Sequence, residues 1–239
     1  MNNIAISGTY SSGKTTTAYA LANYLHIPRI RARTMRELLP EAVPGKTLEQ
    51  CNASEIIQLI VCRHTERVMH ESHHPEGFIS DGSSLQEWIY GSMRTVVGIN
   101  PNDSMHLGNN ESVARTPEIE VFEQVMEQLG VAVKRHVKRT YTGFIHLRNE
   151  LALAADGHRP VNERFRTLAD TSLKDVADEL GIPRWEVSGP LEDRLTTISG
   201  ILKLEPVMSV TEAIDRAQEE YDAIDMRTES DRASVIVTR

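Results

Sequence analysis

At 239 residues the chain is long enough for one substantial core, so a single domain with a C-terminal tail is expected. Its 26 Lys and Arg against 34 Asp and Glu give a formal net charge of −8, which opposes broad attraction to nucleic acid or to an anionic membrane surface. Cys51 and Cys62 lack CxxC or zinc-like spacing, no apolar stretch approaches the ~20 residues needed to span a bilayer, and the start has no basic n-region of a signal peptide, so the expected setting is soluble and cytoplasmic.

In chain order, the apolar run IAIS (4–7) leads into a glycine loop and then TTTAYALANYL, whose alanines and leucines recur at helical spacing. Pro28 ends that helix, and a second strand is expected over 29–32. Residues 48–71 have the apolar spacing of a long amphipathic helix. Phe78–Ser80 is the next strand, delivering Asp81 and Gly82 into a loop before a helix over 84–93. From 94 to 116 the sequence turns to Gly, Asn, Asp, Ser and Pro without periodicity, the pattern of an exposed insertion loop. Pro117 opens a helix to about 139, and GFIHLR forms another strand. The polar, arginine-rich stretch DGHRPVNERFR follows, then a helix over about 169–180, a strand over 185–189, a helix over about 192–204 and a last amphipathic helix before a charged tail. Strands alternating with helices indicate an α/β fold with a parallel sheet covered on both faces. The expected organisation is a domain over 1–206, with an insertion at 94–116 and a lid at 156–168, and a C-terminal helix and tail over 207–239.

The stretch GTYSSGKT places Gly8, Gly13, Lys14 and Thr15 in the pattern GxxxxGK[ST], directly after a strand and before a helix. Glycines at those positions let backbone N–H groups converge on phosphate oxygens at a helix N-terminus. Lys14 would reach the β- and γ-phosphates and the Thr15 hydroxyl would ligate Mg²⁺, with Tyr10, Ser11, Ser12 and Thr16 completing the contact to ATP. Asp81, at a strand end beside this loop, could ligate Mg²⁺ or accept a substrate proton, or it could be the first residue of an Asp-Gly turn. Glu37 reads equally as a general base and as a helix-surface charge paired with Arg33. Arg159, Arg164 and Arg166 suit a mobile basic lid over phosphates, or a solvated face paired with Asp156, Glu163 and Asp170. Arg194 could stack on a nucleotide base. His64, His70, His73 and His74 lack matching ligand spacing and read as helix-surface residues.

GTYSSGKTT, FISDGS, YTGFIHLR, DGHRPVNERFR and ELGIPRWEVSGPLEDR, in that order over about residues 4–204, resemble the AAA_28-type P-loop proteins. Within that group the pattern is similar to the ribosylnicotinamide kinase domain of the bifunctional NAD-biosynthesis regulators and, more distantly, to the deoxynucleoside kinases. The resemblance implies a P-loop, nucleoside-kinase-like five-stranded parallel sheet with an arginine-rich lid. It also implies ATP and Mg²⁺ as cofactors and transfer of the γ-phosphoryl group to a hydroxyl of a small molecule. It carries over Gly8, Gly13, Lys14 and Thr15 as the nucleotide loop, Asp81 as the carboxylate after the third strand, and Arg159 with Arg164 or Arg166 as lid arginines. Two features depart from the group. Arg33 stands where such kinases tend to carry a glutamate base, so Glu37 and Asp81 compete for that role, and the Asn-rich segment 100–112 has no counterpart.

A small-molecule kinase is therefore the leading expectation, with a homo-oligomer possible. The alternative is an ATP-binding or hydrolysing regulatory protein using 94–116 and the C-terminal helix to bind partners. No NKxD stretch for guanine recognition is present, and FISDG does not extend to the Asp-Glu pair of a mechanical ATPase. A polynucleotide kinase is disfavoured by the acidic balance.

Overall fold

The computed structural model describes residues 2–108, 111–152 and 162–223. Five strands, β1 (Asn2–Ser7), β2 (Arg29–Ile30), β3 (Gly77–Asp81), β4 (Gly143–Leu147) and β5 (Arg184–Val187), form one parallel sheet in the order β2-β3-β1-β4-β5. Ile4, Ala5 and Ile6 of β1 are all buried, as a central parallel strand with both faces covered requires. The chain first builds one side of β1 and then the other, so β1 lies between β3 and β4 where the strand order reverses. Open α/β sheets bind ligands beyond the strand ends at this place.

Eight helices accompany the sheet among the described residues: α1 (Lys14–Leu25), α2 (Met35–Ala42), α3 (Ala53–Ser72), α4 (Ser84–Val97), α5 (Pro117–Thr140), α6 (Glu163–Glu179), α7 (Leu191–Leu202) and α8 (Val210–Asp222). Their ends follow local chemistry. Thr116 caps α5 by accepting from the Ile119 amide, Pro117 occupies the first turn with Glu118 and Glu120, and Lys138 and Arg139 lie at the negative end of the dipole. On one face of the sheet, Leu21, Ile198, Ala213 and Ala217 bring α1, α7 and α8 together with Ile4, Ile6, Ile79 and Ile145. On the other, Leu85, Ile89, Val133, Phe165 and Leu173 cover Ala5, Phe78 and Phe144. A third cluster, including Leu38, Leu39, Ile56, Leu59, Phe122 and Met126, holds α2, α3 and α5 together beyond the sheet.

Three expectations change. The helix foreseen at 48–71 is a 3₁₀ turn (Leu48–Gln50) followed by α3, because Asn52 caps α3 through the Glu55 amide and interrupts the run. The irregular segment begins at Gly98 instead of 94, since Tyr90, Arg94 and Val97 continue the buried face of α4, and it contains a second 3₁₀ turn, Pro101–Ser104. The helix foreseen at 169 begins at Glu163, capped by Asn162, whose side chain accepts from the Phe165 amide at 2.9 Å. Arg164 and Arg166 therefore sit in the first turn of α6 and not in a loop, while Arg159 and Asp156 lie outside the described residues. No helix among the described residues is long and apolar enough to cross a membrane.

Candidate active site

The loop between β1 and α1 has the backbone of an anion cradle. Gly8 (φ 138°) and Gly13 (φ 83°) both take positive φ, and Ser11 (φ 57°) is left-handed. A Cβ at Gly8 would stand 2.8 Å from Ser12 Oγ and one at Gly13 2.8 Å from an Arg194 nitrogen, so neither position has room for a side chain. Ser12 Oγ donates to the Thr9 carbonyl at 3.0 Å, and the Lys14 ammonium donates to the same oxygen, which folds the lysine across the loop. Lys14, Thr15 and Thr16 open α1, whose first amides face the loop with the positive end of the helix dipole.

Arg194 braces this loop. It is 6 % exposed and donates to the Ser12 carbonyl (2.9 Å) and the Gly189 carbonyl (2.7 Å), with Glu150 3.4 Å away. A guanidinium this deeply buried has little face to offer a base, so the expected stacking gives way to a contact that holds the loop carbonyls. Asp81 ends β3, opposite Ile6 of β1 in the ladder, and is only half-buried. Its turn is fixed from behind by Arg67, which is fully buried and donates to Ser80 Oγ (2.8 Å), the Gly82 carbonyl (3.3 Å) and Glu87 (3.0 Å). Arg63 adds a second contact to Glu87 at 3.2 Å. Burial opposes charge on Glu87, yet Arg63 and Arg67 hold its carboxyl below the ordinary carboxylate range.

Glu37 lies elsewhere in role. It is the N3 residue of a capping box, accepting from the Thr34 amide at 2.7 Å, and it pairs with Arg31. Burial alone would raise its pKa, but the Thr34 amide and Arg31 together lower it, which is the wrong direction for a base near neutral pH. Arg33, the expected partner of Glu37, instead binds Glu66 (2.6 Å) and Glu41 (2.9 Å). Arg166 is buried and donates to the Leu151 carbonyl at 2.8 Å. Arg164 is half-buried, and its Nε and Nη1 are buried without a hydrogen-bond partner. His70 and His73 are exposed as expected, but His64 turns inward, with Nδ1 2.7 Å from Ser84 Oγ and its ring edge-on to His136. Burial, then His136, lowers the His64 pKa.

Next to the phosphate loop, Tyr10 stacks on Tyr90 of α4 at 4.6 Å between ring centroids, and Phe165 of α6 lies 6.1 Å from Tyr10. Gln86 donates to the Tyr90 hydroxyl at 3.0 Å. Sequence reasoning passed over this aromatic group because its members come from three elements. A separate cavity of about 560 Å³, with Cys51, Asn52, Val97, Gly98, Asn100 and His106 in its wall, shares no residue with the phosphate loop.

Residues 3–194 match the family described as AAA domain, a match that spans most of the chain and every residue of the site above. The chain belongs to the AAA-domain family. Among solved structures, this AAA-domain protein is similar to deoxyadenosine kinase from M. mycoides with bound dCTP (TM-score 0.54, 13 % identity, 84 % of this chain and 98 % of that one). The same kinase with dCMP and a flexible dCDP gives TM-score 0.53 at 13 % identity, with the same coverage of both chains. The NadR protein in complex with NR gives TM-score 0.49 at 12 % identity over 95 % of this chain and 52 % of that one. No curated protein sequence matches this chain. The common ground is the fold: a five-stranded parallel sheet flanked by helices, as in P-loop nucleoside kinases.

Proposed function

We propose that the protein is an ATP-dependent phosphotransferase that moves the γ-phosphoryl group to a hydroxyl of a small, nucleoside-like molecule. The observation that carries this reading is the meeting of a phosphate loop (Gly8–Thr15) with a strand-end carboxylate, Asp81, on adjacent parallel strands at the point where the strand order reverses. The loop amides and the N-terminus of α1 would receive the phosphates, and Lys14 would exchange the Thr9 carbonyl for the β- and γ-phosphate oxygens.

The donor set fits Mg²⁺, which is commonly held by one or two carboxylates plus substrate phosphates and water. Thr15 and Asp81 are the residues that would hold it, and no larger cage of His, Cys, Asp or Glu exists among the described residues. Mg²⁺ held there would supply positive charge to the phosphates during transfer. Glu37 is disfavoured as the base because its lone pairs are engaged by Thr34 and Arg31, which leaves Asp81, and a loose transition state asks little of that group. The buried, partnerless nitrogens of Arg164 favour a role in receiving phosphate oxygens, since a desolvated donor without an acceptor is costly. Tyr90 and Phe165 are buried and back the half-buried Tyr10 beside the loop, so Tyr10 is the ring of this stack that would meet a planar acceptor.

The test is ATP consumption with and without candidate acceptors. A kinase shows low basal hydrolysis and strong stimulation by one acceptor class. Acceptor-independent binding or slow hydrolysis altered by a protein partner would replace this reading with the regulatory one.

A further inference from the structure

Five side chains tie the end of β1 and the phosphate loop to α6. Thr9 Oγ1 donates to Asn149 Oδ1 at 2.6 Å, and Asn149 Nδ2 donates to Asp170 Oδ1 of α6 at 2.9 Å. In parallel, Ser7 Oγ lies 3.3 Å from His146 Nδ1, and His146 Nε2 lies 3.1 Å from the same Asp170 oxygen. An ionised carboxylate only accepts, so Nε2 carries the proton that faces Asp170 and Nδ1 faces the Ser7 hydroxyl. Ser7 and His146 are 5 % and 1 % exposed, so these contacts are shielded from competing water. Lys174 closes the carboxylate from the other side at 2.8 Å. Thr9 is also the residue whose carbonyl receives Lys14 and Ser12, and α6 is the helix whose first turn carries Arg164 and Arg166.

We propose that Asn149, His146 and Asp170 are positioning residues that couple occupancy of the phosphate loop to the first turn of α6, so that loop and lid arginines close on the same phosphates. This inference rests on the nucleotide-binding reading above. It assigns a task to a strand histidine and a helix aspartate that touch no substrate: they help transmit a shift of the loop to α6 along two hydrogen-bonded paths, one from Thr9 through Asn149 and one from Ser7 through His146.

Hydrogen–deuterium exchange with and without ATP and Mg²⁺ tests the coupling without any need for turnover. In the wild-type protein, nucleotide should slow exchange in both 8–17 and 163–170, the latter by about fivefold or more, the lower end of ordinary coupling. Asn149→Ala, at an exposed site, and Asp170→Asn should keep the protection at 8–17 and lose it at 163–170. Asn149→Ala keeps the test in force should the aspartate variant fail to fold. Equal protection of 163–170 in Asn149→Ala and wild type would overturn the inference, as would protection of 8–17 alone in the wild type. Protection of neither segment would overturn the nucleotide-binding reading and the coupling with it.

Discussion

The two shoulders of the site are built in opposite ways. The phosphate loop gets its shape from its own backbone, with glycines at 8 and 13 in conformations that side chains would disfavour, and it needs one arginine, Arg194, to hold its carbonyls. The β3–α4 shoulder also turns on a positive-φ glycine, Gly82 (φ 79°), but that turn is held by a buried ion network of Arg63, Arg67 and Glu87 that reaches across from α3. A local loop keeps its geometry wherever the strand–loop–helix unit is kept. A shoulder held by distant side chains depends on the whole α3–α4 packing, and changes there should cost folding before they cost chemistry.

Four substitutions break or sharpen this contrast. Lys14→Ala should lower phosphoryl transfer by about a thousandfold or more with an unchanged thermal midpoint, because the lysine stabilises charge and packs little. Near-normal turnover would remove the phosphate loop from the mechanism. On the other shoulder, Glu87→Ala leaves Arg67 buried and uncompensated and should cost about 3 kcal/mol of stability by urea unfolding. A fully stable Glu87→Ala protein would show that the network does not hold the turn.

Asp170 gives a pH-dependent effect. Burial would raise its pKa, but hydrogen bonds from His146 and Lys174 bring it down to about 2, below the ordinary 3.8. A depressed pKa stabilises the fold above the unfolded value, so this contribution is complete above about pH 4 and disappears as pH falls towards 2. Asp170→Asn should therefore be less stable than wild type by on the order of 2 kcal/mol at neutral pH, with the gap closing in acid. A gap that does not change with pH would mean that packing, and not charge, explains the difference. The smallest effect is expected for Glu37→Ala, about 1 kcal/mol of stability from the lost capping box with transfer nearly intact. A loss of transfer by several orders of magnitude would move the base assignment from Asp81 to Glu37.

The contrast also explains what the sequence made legible. Gly8–Thr15 is a local pattern with a local mechanism, and the alternation of apolar runs gave the five strands close to their observed positions. The start of α6 was hidden because Glu163, Arg164, Arg166 and Thr167 dominate its first turns. The cap Asn162, the acidic Glu163 and the four-residue step from Phe165 to Ala169 were the available signal. Arg67 and Glu87 are twenty residues apart and meet only through tertiary packing, so no spacing rule reveals them. His146 carried a faint signal, a single polar residue near the end of the otherwise apolar strand GFIHL. Asp170 carried none, since it looked like one more charge on a polar helix.

The most direct measurement is ADP release, with mass analysis of the products, across a panel of nucleosides, nicotinamide riboside and other hydroxylated metabolites. The account predicts that one class of acceptor raises turnover well above the basal rate and is recovered carrying one phosphoryl group. Tight ATP binding with no phosphorylated acceptor would contradict it.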